Sequence, residues 1–175
     1  MDDCTFVIFG ATGNLSQIKL MPALYHLDAA GRLPNGLKVV GFGRREWDDQ
    51  AWREQVQSWL ADKDLDEAVL ARFCERLHFY KGDLGDAASY PGLHDYLLND
   101  GRFSSNIIFY MAIRPADFGP VSAALGEVGL NREDGGWRRL VIEKPFGYDL
   151  ESAQSLNKRL GREFQESQIY RIDHY

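Results

Sequence analysis

Cysteine is scarce in this sequence: only Cys4 and Cys74 occur among 175 residues. They offer neither a metal-ligand spacing nor a disulfide framework, which fits a reducing compartment and two small buried hydrophobes. Positive charge is in deficit as well. Against 26 Asp and Glu stand 20 Lys and Arg, a formal net charge of −6. That balance excludes a nucleic acid or an anionic membrane surface as the main partner, though not a local basic pocket. No apolar run approaches the roughly 20 residues that cross a bilayer. The opening MDDCTFVIFG carries two acids where a signal peptide carries positive charge. The expectation is a soluble, cytoplasmic protein.

What is present is ordinary globular material: hydrophobic residues at 45% and charged ones at 26%, in a length that suits one domain with a real core. Short β-rich runs alternate with helix-like stretches, the rhythm of βαβ units. The candidate strands are residues 5–9, 37–42, 77–81, 106–112, 139–143 and, more weakly, 168–172. Several are continuous Val/Ile/Phe runs, as a parallel sheet covered on both faces requires. Helices are expected near 15–30, 48–61, 65–76, 116–128 and 149–166. The last carries Leu150, Ala153, Leu156, Leu160 and Phe164 at helical spacing, behind a capping Asp149. The polar, Gly-containing stretch 130–139 reads as the most flexible loop. The fold class expected is α/β: a Rossmann-like, doubly wound, mostly parallel sheet in the order 3-2-1-4-5-6, flanked by helices.

The common Gly-x-Gly-x-x-Gly phosphate fingerprint is missing. In its place VIFGATGNLS sets Gly10 and Gly13 between the first strand and a helix. Backbone N–H groups at such a turn approach a pyrophosphate, and the helix adds the positive end of its dipole. The spacing is Gly-x-x-Gly-x-x-Ser, with Ser16 as the third small position. An acid near the end of the second strand would bind ribose hydroxyls and favour NAD. This sequence has Arg44 and Arg45 there, and a guanidinium suits the 2′-phosphate of NADP. Thr12 can add a hydroxyl to the same phosphate. The competing reading of the two arginines is a solvated basic pair beside Glu46, Asp48 and Asp49.

Also absent is a Tyr-x-x-x-Lys pair, which short-chain dehydrogenases need to lower the tyrosine's pKa. The GDL at 82–84 suits that class, where an acid after the third strand contacts adenine, but no tyrosine has a lysine four residues on. A non-catalytic, NADP-binding relative of that class stays open. The chemistry concentrates late in the chain. VIEKPFG (141–147) places Glu143 and Lys144 at the end of a fifth strand, where open α/β sheets bind ligands. RIDHY (171–175) ends a neighbouring sixth. A lysine, an Asp–His pair and a tyrosine converging there suit a phosphorylated or hydroxylated substrate.

The blocks FGATGNLSQIKLMPALY, VVGFGRR, FYMAIRP, VIEKPFGYDLESAQSLN and FQESQIYRIDHY together resemble the coenzyme-binding domain of glucose-6-phosphate dehydrogenases, in that family's order and over essentially the whole chain. The resemblance implies oxidation of glucose 6-phosphate at C1 to the lactone, with NADP as hydride acceptor. It implies cofactor contacts from Gly10, Thr12, Gly13, Asn14, Leu15, Arg44, Arg45 and Lys144, and substrate contacts from Lys19, Lys144, His174 and Tyr175. Asp173 matches the carboxylate that orients a histidine base, and that histidine lies beyond this chain. In the family RIDHY is the junction with a larger β+α domain that carries the main subunit contacts. The expectation is therefore one NADP-binding domain over residues 1–175, monomeric and inactive alone, from a homo-oligomeric enzyme. The departures are Asn14 for an acid, Ser16 for an alanine, Ile18 for an arginine and Arg114 where proline is common. Arg114 puts a second positive group at the cofactor or substrate rim.

Overall fold

The computed structural model describes residues 1–61 and 64–173. Among these residues six strands form one sheet: β1 (Thr5–Phe9), β2 (Lys38–Gly43), β3 (Leu77–Lys81), β4 (Ile107–Met111), β5 (Arg138–Glu143) and β6 (Ile169–Ile172). Their order is β3-β2-β1-β4-β5-β6 and every pairing is parallel. The expected order is the observed one. Helices α1 (Met21–Ala29), α2 (Asp49–Leu60), α3 (Glu67–Glu75), α4 (Ser89–Leu98), α5 (Pro115–Glu127) and α6 (Leu150–Glu163) fill the crossovers.

Strand alternation divides the core in two. Val7, Phe9, Phe109, Leu140 and Ile142 point into one layer with Leu93 of α4, Leu125 of α5 and Leu160 of α6. Ile8, Val39, Leu77 and Phe79 point the other way, against Met21 of α1, Trp52 of α2 and Phe73 of α3. β3 is an edge strand, and α2 covers its outward polar groups. The Asp49 carboxylate accepts the Phe79 N–H at 2.8 Å, and Arg53 Nε donates to the Leu77 carbonyl at 3.0 Å.

The structure corrects several local expectations. Helix α4 was not foreseen, because its sequence SYPGLHDYLL holds Pro91 and Gly92. Pro91 sits in the first turn, where an N–H has no intrahelical partner to lose. The run expected as one helix over 15–30 opens with a π-turn, Ser16–Leu20, before α1. The last helix stops at Glu163, and a separate 3-10 turn, Glu166–Gln168, leads into β6. Its apolar stripe is shorter than the spacing implies. Leu156, Leu160 and Phe164 are buried, but Leu150 at the exposed first turn is not. Asp149 caps α6 as expected, accepting the Ser152 N–H at 2.8 Å. The loop 130–139 is tied down at several points. Trp137 N–H donates to Asn106 Oδ1 at 3.0 Å, Arg138 N–H donates to Glu133 at 3.0 Å, and Arg138 itself is a buried β5 residue.

Candidate functional site

β1 delivers the chain to Gly10 at the point where the sheet's winding reverses, because β1 lies between β2 and β4. Gly10 has φ +79°, and a Cβ there would stand 2.2 Å from the Ala112 carbonyl oxygen. Both the left-handed backbone and the close approach of the β4 exit demand glycine. Gly13 N–H then donates to the Gly10 carbonyl at 3.0 Å, and Gln17 N–H to the Gly13 carbonyl at 3.1 Å. The turn thus passes directly into the helical run that starts at Ser16. The exit of β2 crowds the same turn: a Cβ at Gly43 would lie 3.1 Å from Thr12 Cγ2.

A cleft of about 640 Å³ opens over this turn. Four strand exits build it. Gly10, Thr12 and Gly13 come from β1, Arg44 from β2, Asp83 from β3, and Ala112, Arg114 and Asp117 from β4 and the start of α5. A crevice at the carboxyl ends of parallel strands, floored by a glycine turn at the switch point, fits a dinucleotide. The acid falls after β3, where Asp83 Oδ1 accepts the Gly85 N–H at 2.9 Å. At the β2 exit, where an acid would hold ribose hydroxyls, the cleft has Arg44. Arg45 lies outside the lining, its guanidinium carbon 5.8 Å from the centre of the Trp47 ring. Asn14 is exposed and Leu15 half-buried at the end of the turn, and Lys19 is exposed in the π-turn.

A second group of expected residues meets at the ends of β5 and β6. Lys144 N–H donates to the Ile172 carbonyl at 3.2 Å, carrying the ladder one residue past β5. Lys144 Nζ lies 2.6 Å from Asp173 Oδ2, with side chains 56% and 37% exposed. Half-exposed charges in such a pair attract only modestly, so a ligand can compete for either partner. Beside them the Tyr110 hydroxyl donates to Glu143. Two more expected substrate residues, His174 and Tyr175, lie outside the described residues.

Residues 7–175 match the family model described as "Glucose-6-phosphate dehydrogenase, NAD binding domain". The chain belongs to the glucose-6-phosphate dehydrogenase family. It is 44% identical to the glucose-6-phosphate 1-dehydrogenase of Mycolicibacterium smegmatis, over 100% of this chain and 36% of the relative. Against that of Aggregatibacter actinomycetemcomitans it is 41% identical, over 99% of this chain and 36% of the relative. A solved glucose-6-phosphate dehydrogenase in complex with its substrate glucose 6-phosphate superposes with a TM-score of 0.84 at 31% identity, over 99% of this chain and 37% of that one. The chain thus spans about 36% of the length of the relatives it matches. It carries the family's dinucleotide-binding domain, and the cleft over Gly10–Gly13 lies at the switch point of its sheet. Sequence reasoning found the β1 and β2 contributions to this cleft. It assigned Asp83 only to another enzyme class, and it did not single out Ala112 or Asp117, whose only signal was their place just past an apolar strand.

Proposed function

We propose that this chain is the NADP-binding part of an enzyme that oxidises glucose 6-phosphate at C1 to 6-phosphogluconolactone. The observation that carries the cofactor assignment is Arg44, a guanidinium rather than a carboxylate lining the cleft at the end of β2. The adenosine 2′-phosphate of NADP gives that cation a partner which NAD lacks. Thr12 adds its hydroxyl to the same 2′-phosphate, the N–H groups of the turn through Gly13, Asn14 and Leu15 hold the remaining phosphates, and Arg45 reinforces the 2′-phosphate end. Bound NADP supplies the hydride acceptor.

The substrate assignment draws on the names of the relatives and on the meeting of Lys144 with Asp173 at the strand ends. Lys144 bridges substrate and cofactor, while Lys19, His174 and Tyr175 hold the sugar phosphate. Asp173 orients a histidine base carried by the longer protein, where the carboxylate accepts an imidazole N–H and leaves the other nitrogen free to take the C1 hydroxyl proton. The homo-oligomeric assembly of the whole enzyme belongs to the same reading.

Isothermal titration of the 175-residue chain and its Arg44→Ala variant tests the cofactor assignment. A lost charge-assisted contact of about 1.5–3 kcal/mol weakens NADP roughly ten- to a hundredfold and leaves NAD nearly unchanged. Equal losses for the two dinucleotides would contradict it.

A further inference from the structure

The cleft holds two arginines, on opposite sides of the glycine turn. Arg44 follows β2 and Arg114 follows β4, and β1 with its turn lies between those strands in the sheet. The β4 exit also touches the turn. A Cβ on Gly10 would meet the Ala112 carbonyl at 2.2 Å and Ile113 Cγ2 at 3.0 Å, so Arg114 leaves the backbone one residue past a direct contact with the phosphate-binding turn. It is the residue preceding α5, with its side chain making no capping bond to that helix. Among the described residues the guanidinium is held by one partner, Asp117, with Nε 3.1 Å from Oδ2 and Nη2 3.3 Å from Oδ1. Two of its five N–H groups are thereby used, and the side chain is 81% exposed, leaving donors directed away from Asp117 for a ligand.

We infer that Arg114 is a second phosphate-reading residue, serving the pyrophosphate common to NAD and NADP, and that Asp117 holds it in place at a cost in affinity. This rests on the reading of the cleft as a dinucleotide site. A dinucleotide lying across the turn, with its 2′-phosphate on the β2 side at Arg44, presents its pyrophosphate over the turn and toward the β4 side. There the guanidinium offers charge-assisted bonds that no choice between NAD and NADP affects. Asp117 acts in two ways. It pre-orders a long side chain, and it takes up two of the guanidinium's donors and offsets its charge, so that an incoming diphosphate competes with it for Arg114.

The division of labour gives each arginine its own signature in titrations of the full 175-residue chain with NADP, NAD and 2′-AMP. Arg114→Ala weakens NADP and NAD by the same factor, about tenfold for one lost charge-assisted contact, and leaves 2′-AMP unchanged. Arg114→Lys, which keeps the charge, recovers part of that loss. Asp117→Asn tightens both dinucleotides a few-fold, and the tightening disappears in the Arg114→Ala background, as a double-mutant cycle reports for a coupled pair. Circular dichroism confirms that each variant is folded. An unchanged affinity in Arg114→Ala, a loss confined to NADP, or tightening by Asp117→Asn that persists without Arg114 would overturn the inference. If Arg44→Ala is selective for NADP while Arg114→Ala does nothing, this inference alone falls. If the wild-type chain binds neither dinucleotide, the reading of the cleft falls with it.

Discussion

His78 shows how one side chain can tie the stability of the sheet edge to pH. It sits on β3 with Nδ1 2.9 Å from Asp49 Oδ2. A carboxylate only accepts, so in the neutral ring Nδ1 carries the proton and Nε2 is left bare; Nε2 is buried with no partner among the described residues, and the ring stands edge-on to Phe103 at 5.2 Å. Burial is the main cause that lowers the His78 pKa from 6.5, with Arg53 and Arg102 adding to it and Asp49 opposing. Because the folded pKa is depressed, the stabilisation is full above pH 6.5 and is lost as the pH falls through the folded value, where the unfolded chain binds the proton more readily. Urea denaturation of the wild type should therefore show a stability that declines below pH 6.5, and His78→Gln should flatten that part of the profile. An identical slope in the two proteins would assign the pH dependence to other groups.

At the scale of elements, β5 tests the two-layer account. Leu140 is fully buried among α5 and α6 side chains, whereas Val141 points to the opposite face and is half-buried, outside both core clusters. Leu140→Ala is expected to cost about 2–5 kcal/mol through the cavity it leaves, and Val141→Ala about 1 kcal/mol or less. Denaturation midpoints read the difference, and equal losses would mean that both faces of β5 are equally enclosed. All six strands were legible in the sequence to within a residue or two, because parallel buried strands are written as continuous β-branched and aromatic runs. Helix α4 was not, since Pro91 and Gly92 read as breakers unless the helix start is already known. The π-turn at Ser16–Leu20 left no signal either: one extra residue in a helical turn shifts a spacing too slightly to be read in a single sequence.

The functional site belongs to the whole molecule. Its cleft takes side chains from four strand exits spread between Gly10 and Asp117, and only the order β3-β2-β1-β4 brings them together. Gly10, Gly13 and Arg44 could be found beforehand because a glycine turn and a basic strand end carry their meaning locally. Asp117 could not, because its role depends on the β4 exit lying against the β1 turn. The pairing of Lys144 with Asp173 likewise depends on β5 and β6 being neighbours, a relation that the two late motifs implied and the sheet displays. With a net charge of −6 the protein as a whole repels a polyanion, so in the proposed site a phosphorylated dinucleotide relies on the local arginines and turn N–H groups of this cleft. The most direct measurement is calorimetric titration of the unmodified 175-residue chain with NADP and with NAD at the same ionic strength. The account predicts that both bind in the cleft and that NADP binds roughly ten- to a hundredfold more tightly, the equivalent of one charge-assisted contact to its 2′-phosphate; equal affinities, or a preference for NAD, would contradict it.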